Sequence, residues 1–305
     1  MKIHSFNEWE RLRSVVVGLA LHANWPATDP VYALEKQKTT WTDSDPPVGP
    51  VPQWIVDETE EDLSALCEVL SLAGVEVHRP REIDWVAVDG MYNYCPRDRL
   101  LIAGNTVVDP AMMYPCRDQE IAALDFVTDS APVASMPRNA GMTLDAANIC
   151  RLDDSWLYLE SSSGNHAAAQ WLAEQFPSIN IEVCNFYAGV HIDSTVVPLR
   201  EGLVLLNASR IRPEQCPQVF ANWDKIWVKD CVARSFYQYP YASKWIGMNM
   251  LCIDPTTVIV DSLQKEIITT LEQKKFTVIP LELRHSRTLG GGFHCVTLDL
   301  WRQDD

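Results

Sequence analysis

The chain lacks long apolar runs. Nowhere in its 305 residues is there a hydrophobic stretch of the length that crosses a bilayer. Its start, Met1 to Glu8, carries no apolar core followed by a small-residue cleavage site, so the expected location is the cytoplasm. Basic charge is scarce as well: 25 Lys and Arg face 41 Asp and Glu, a formal net charge of −16. Such a surface repels phosphate backbones and anionic lipid headgroups, which excludes nucleic acid and membrane as partners and leaves small molecules. The nine cysteines are odd in number and contain no CxxC pair, so neither a disulfide framework nor a zinc ribbon is indicated. No metal or other cofactor is called for, and most of these cysteines should be small buried hydrophobes.

What is present is a core-forming composition, 47% hydrophobic, arranged in a repeat. Residues 249 to 281 read as strand, turn, strand, amphipathic helix and strand. Leu263, Ile267, Ile268 and Leu271 fall on one helical face. The same order occurs at 148 to 186, with a helix over 165–176. It recurs from Thr195, with strands at 196–199, 203–206 and 225–228 and a helix near 213–221. A looser copy starts at Arg99. The first copy consists of the strand 12–18, a helix over 60–73 with Leu63, Leu66, Cys67 and Leu70 on one face, and the strand 75–78. About five units at roughly fifty-residue spacing signal a repeat architecture. A unit of three strands and one helix cannot cover its own apolar sheet, so the units should pack around an axis in one α/β domain spanning 1–305. Pairing of 296–301 with 12–18 would close the ring. Residues 22–57 and 110–137 interrupt the pattern, the former as a long loop or partial lid.

The polar residues share a phase. Just ahead of the first strand of successive units stand Pro96-Arg97-Asp98, Leu144-Asp145, His191-Ile192-Asp193, Ser243-Lys244-Trp245 and Gly290-Gly291-Gly292-Phe293-His294-Cys295. In a ring of equivalent units, positions of equal phase converge at one end of the axis. Taken singly, each has a plainer reading. The aspartates serve as turn formers or caps, the histidine as a satisfied loop residue, and the cysteine as a core hydrophobe. The glycines read either as a loop needing positive φ or, standing before a Cys, as letting the backbone approach a ligand. His294 with Cys295 as metal ligands lacks a second pair at ligand spacing. Together they make a cavity able to hold a guanidinium and attack it with sulfur.

These stretches resemble the amidinotransferase family, which includes glycine amidinotransferase and the inosamine-phosphate amidinotransferases. The likeness runs through Asn7-Glu8-Trp9, Val15 to Gly18, Tyr94 to Asp98, Met136-Pro137-Arg138, Asp145 to Asn148, His191 to Thr195, Ser243-Lys244-Trp245 with Met248-Asn249, and Leu289 to Cys295. The resemblance implies the pentein fold, a five-bladed α/β propeller with pseudo-fivefold ββαβ repeats. It implies Cys295 as nucleophile, His191 as general acid and base, and Asp145 as the carboxylate holding that histidine. It further implies Asp98 and Asp193 gripping the guanidinium, Arg210 and Ser243 at the amino-acid end of the donor, and a homodimer. The segment Met113 to Asp118 departs from the family pattern, so part of the cavity wall should be missing or rebuilt.

The reaction so implied moves the amidino group of arginine through a covalent Cys295 intermediate to an amine, with a neighbouring imidazolium lowering the thiol pKa. Water as acceptor would give an arginine deiminase-like hydrolase. A non-catalytic arginine-binding propeller is the third reading, and it needs no nucleophile.

Overall fold

Each Val- and Ile-rich run forms a strand, and the strands pair within their own unit. The computed structural model describes residues 1–34, 43–138, 140–187 and 189–303, so the 35–42 part of the expected 22–57 loop lies outside the described residues. Leu251–Asp254 turns tightly into antiparallel Thr257–Asp261, which lies parallel to Thr277–Leu281. A parallel partner requires a crossover. Here it is the helix Lys265–Gln273, which buries Ile267, Ile268 and Leu271.

The same antiparallel-then-parallel order is repeated. It occurs in Ile149–Leu152, Ser155–Leu159 and Asn180–Cys184, with the helix His166–Gln175 as crossover. Val196–Arg200, Leu203–Asn207 and Asp224–Val228 form another copy, and Leu101–Ala103, Thr106–Asp109 and Val133–Ser135 a further one. In the last, the C-terminal Thr297–Gln303 pairs antiparallel with Arg11–Val17, which runs parallel to Glu76–His78. The described residues therefore hold five three-stranded mixed sheets, together with a two-stranded one of Asn24–Trp25 and Gly49–Pro50.

Two helix expectations change. The segment 213–221 forms two short 3-10 turns, Pro213–Gln215 and Gln218–Phe220. Pro217 has no N–H to donate and its ring would crowd the preceding turn, so a continuous helix is blocked. The first helix is longer than expected, Gln53–Leu72, because Ile55 and Val56 extend its buried stripe beyond Leu63, Leu66 and Leu70. Pro52 immediately before it sets the start. The expected loop 22–57 thus gives up its last residues to this helix.

In each sheet the first two strands are almost wholly buried and the third is half-exposed. The first two strands of each sheet are therefore interior, and the residues that lead into the first are carried inward with it. Val204, Leu205 and Leu206 have no exposed surface, and full burial of such side chains stabilises by about 1.5–3 kcal/mol each.

The interior also holds charge. Arg151, on the strand Ile149–Leu152, donates to Glu8 Oε2 and to Asp299 Oδ2, each at 2.9 Å. Arg97 reaches Glu8 and Asp299 as well, and Arg302 donates to Asp299 Oδ2 at 2.7 Å. This cluster ties the N-terminal segment, two sheets and the C-terminal strand together. Replacing Arg151 by Met should cost about 3 kcal/mol, because two buried carboxylates lose a shared cation. Leu72→Ala, at a position 89% exposed, should stay within about 0.5 kcal/mol of wild type. Urea midpoints of the two variants check the contrast.

Candidate active site

The turn that carries Cys295 is entered through a left-handed glycine. After the short helix Ser286–Leu289, Gly290 adopts φ +80°, and the chain then runs through Gly291 and Gly292 to Cys295. The expectation that these glycines admit a ligand is only partly met, because the close neighbours are the protein's own. A Cβ on Gly292 would lie 2.7 Å from the side chain of Asn249, and one on Gly291 would lie 2.4 Å from Cys95 Sγ. Gly290 does line the cavity. Asn249 uses the space so gained. Its Oδ1 accepts from the backbone N–H groups of His294 (2.9 Å) and Cys295 (3.0 Å), and its Nδ2 donates to Cys295 Sγ at 3.1 Å.

Cys295 is buried, and its thiol donates to Asp193 Oδ2 at 3.3 Å. Its pKa is not lowered, contrary to the sequence-based expectation. The adjacent Cys95 thiol, burial and the Asp193 charge push it well above the usual thiol value. Near neutral pH the thiol is therefore protonated.

His191 sits in the left-handed region, φ +51°, a conformation that costs a non-glycine residue of order 1–3 kcal/mol and points to a functional constraint. The phenol of Tyr187 hydrogen-bonds its carbonyl. Its Nε2 meets Asp145 Oδ2 at 3.1 Å, and its Nδ1 lies 3.6 Å from Asp98 Oδ1. Burial disfavours the imidazolium, but the charges of Asp98 and Asp145 outweigh it and raise the pKa to about 9. Near neutral pH this ring carries its proton.

The carboxylates differ in how they are used. Both oxygens of Asp145 are engaged, Oδ2 by His191 and Oδ1 by the backbone N–H of Met113 at 2.8 Å. Asp98 Oδ2 takes a bond from Arg117 Nη1 at 2.9 Å, while its buried Oδ1 has no hydrogen-bond partner. Burial raises the Asp98 pKa, against the pull of His191 and Arg117. An orphaned buried acceptor beside a cationic ring is an open place for a donor. The segment 113–118 is thus a rebuilt wall: Met113 fixes Asp145 and Arg117 fixes Asp98.

A cavity of about 250 Å³ opens onto this group, lined by Cys295, His191, Asp193, Arg210, Ser243, Ser194, Tyr187 and Tyr241 among others. Asp98 and Asp145 stand behind His191 and do not belong to that lining. Arg210 stacks on Tyr187 at 4.4 Å and donates to Thr195 Oγ1 (2.7 Å), Ser194 Oγ (3.0 Å) and Ser243 Oγ (3.3 Å). No carboxylate among the described residues pairs with Arg210. Ser243 also caps the turn Lys244–Met248. All seven residues singled out in the sequence therefore lie at or directly behind one cavity. Reasoning from sequence did not assign roles to Asn249, Ser194, Thr195, Tyr187, Glu8 or Arg117. Asn249, Ser194, Thr195 and Glu8 fall within the motif stretches, which was the available signal, whereas Tyr187 and Arg117 stand outside them.

No family model matches the chain. Inosamine-phosphate amidinotransferase 1 of Streptomyces glaucescens is 38% identical over 332 residues, covering 97% of this chain and 95% of that protein. L-arginine:L-lysine amidinotransferase of Pseudomonas savastanoi pv. phaseolicola is 26% identical, covering 98% and 94%. Among solved structures, the inosamine-phosphate amidinotransferase of Streptomyces griseus superposes with a TM-score of 0.91 at 36% identity, covering 99% of this chain and 97% of that one. A dimethylarginine dimethylaminohydrolase, at 14% identity and a TM-score of 0.65 over 94% and 99%, shares the pentein fold alone. Similarity at the level of the two Streptomyces proteins, along nearly the whole of each chain, makes this protein a member of the amidinotransferase family.

Proposed function

We propose that the chain transfers the amidino group of L-arginine to an amine acceptor through a covalent amidino-Cys295 intermediate, releasing ornithine. We read the five sheets as blades about a pseudo-fivefold axis in a single catalytic domain, with the cavity at one end of that axis. The observation that carries the reading is the meeting of Cys295 with Asp193 at 3.3 Å and of His191 with Asp145 at 3.1 Å across one cavity. Arg210, which no carboxylate among the described residues pairs with, is suited to the α-carboxylate of an amino acid.

A guanidinium is a poor electrophile because its charge is delocalised, so its plane must be fixed before sulfur can attack the central carbon. We read Asp193, on the cavity wall, and Asp98, beside the His191 ring, as the acceptors for its N–H groups. The neutral thiol fits this order of events. Arriving positive charge offsets the Asp193 carboxylate that holds the thiol pKa up, so the thiolate forms once the donor is bound. Sulfur then bonds to the guanidino carbon. The carbon–nitrogen bond to the ornithine side breaks, and the leaving nitrogen takes the proton of His191. Asp98 is 3.6 Å from Nδ1 and Asp145 is bonded to Nε2, so Nδ1–H is the proton free to move. The thiol proton leaves to the solvent, so His191 is neutral when the acceptor arrives, and the sulfur expelled in the second half-reaction takes a proton back from the solvent. The acceptor amine next attacks the amidino carbon, loses its proton to the now neutral His191, and expels the sulfur. The acceptor enters the space vacated by ornithine and meets the same Arg210.

Incubation with arginine and a panel of amines, followed by assay of ornithine, citrulline and intact protein mass, tests the reading. Ornithine release with an amidino adduct on Cys295 is expected, and the adduct should vanish in Cys295→Ala. His191→Ala should slow both half-reactions by about 10²–10⁴-fold. Citrulline as the main product would replace transfer by hydrolysis, and an active Cys295→Ala variant would sink the covalent route.

The pH dependence has a definite sign. His191 serves the first half-reaction as an acid, so the single-turnover ornithine burst should fall as pH rises through about 9. Asp145→Asn removes a charge that raises this pKa, so in that variant the fall should begin at lower pH. A burst that grows above pH 9 would contradict the assignment.

A further inference from the structure

Asp193 has two duties that conflict. It must stay ionised in a buried site while empty, yet keep an oxygen available for a donor. His294, which the reaction above does not use, faces this problem directly. Its Nδ1 lies 2.9 Å from Asp193 Oδ2 and its Nε2 lies 3.2 Å from Glu8 Oε2. The residue cannot swing away, because Asn249 holds its backbone N–H while Arg97 Nε and Thr297 Oγ1 donate to its carbonyl. Glu8 in turn is clamped by Arg151 at 2.9 Å through both carboxylate oxygens.

A neutral imidazole has a single N–H. Set between two carboxylates, it would serve one and turn a lone pair on the other. Only the imidazolium satisfies both. Since Oδ2 of Asp193 takes His294 and the Cys295 thiol, Oδ1 is the oxygen left for a guanidinium. Resting on the donor reading above, we propose that His294, as an imidazolium held between Glu8 and Asp193, is a positioning residue that keeps Asp193 ionised and correctly turned for the guanidinium donor. The charged and titratable groups facing the pair are Glu8 and Arg97 around His294, and His191, Cys295, Cys150 and Tyr187 around Asp193, with Asn249 adding a neutral contact. In agreement, the Asp193 pKa lies below the usual carboxylate value despite burial, which His294 accounts for more than His191 does, and the His294 pKa lies above its usual value.

The test uses the full chain, with arginine as donor and ornithine release as readout, and compares wild type, Asp193→Asn, His294→Leu and His294→Asn. His294→Leu removes charge and donors together. It should raise the KM for arginine on the order of tenfold or more, with a smaller change in kcat. It should also move the acid limb of kcat/KM to higher pH, because Asp193 loses the cation that depresses its pKa. His294→Asn restores an uncharged N–H donor, so it should recover part of KM while keeping the displaced acid limb. A structural role alone would not split these two readouts. If Asp193→Asn impairs KM while His294→Asn leaves both KM and the acid limb at wild-type values, the proposal is overturned, and this holds even where His294→Leu does not fold. If Asp193→Asn itself leaves KM unchanged, it is the assignment of Asp193 to the donor that fails, and the proposal falls with it.

Discussion

Charge buried at the centre of the molecule is the constraint on which the rest depends. Glu8, Asp193 and Asp299 are nearly inaccessible, and so are Arg97, Arg151 and Arg302. A lone carboxylate in such a place would protonate or unfold the region, since desolvation costs several kcal/mol per ion. Each one is therefore held by at least one cation. The partners come from chain segments far apart in sequence: Arg151 joins Glu8 to Asp299, and His294 joins Glu8 to Asp193. Folding the sheets around this cluster is what brings those segments together, and the active cavity is its solvent-facing end.

The same electrostatics organise the chemistry. Buried carboxylates that would attract a cation also oppose a thiolate beside them. The Cys95 thiol and burial, with the Asp193 charge added, raise the thiol pKa, while the charges of Asp98 and Asp145 raise the imidazole pKa against burial. Asn249 contributes a neutral donor to the sulfur without altering the charge balance.

The sheets do quieter work. Their first strands are interior, and the residues leading into those strands are Asp98, Asp145, Asp193, Ser243 and Cys295 with its glycines. Gly291 and Gly292 let Asn249 and Cys95 pack against the Cys295 turn where any side chain would collide. The placement of Cys295 thus rests on what those two positions leave out.

Much of this was legible in the order of residues. The alternation of apolar strands and a 3.6-period helix at 251–281 and 149–184 identified the unit, and the common phase of five polar clusters identified the cavity, because both are periodic and local. Local pattern could not show that Pro217 would break the segment 213–221 into 3-10 turns, or that Ile55 and Val56 would carry the first helix back to Gln53. Those outcomes depend on steric and burial partners far along the chain. The sequence by itself determined which side chains could act and the kind of fold that carries them. Only the tertiary structure decided their protonation and their partners, such as the neutral Cys295 thiol, Arg117 behind Asp98, and His294 between Glu8 and Asp193, because a pKa and an ion pair depend on distances that exist only once the strands have packed.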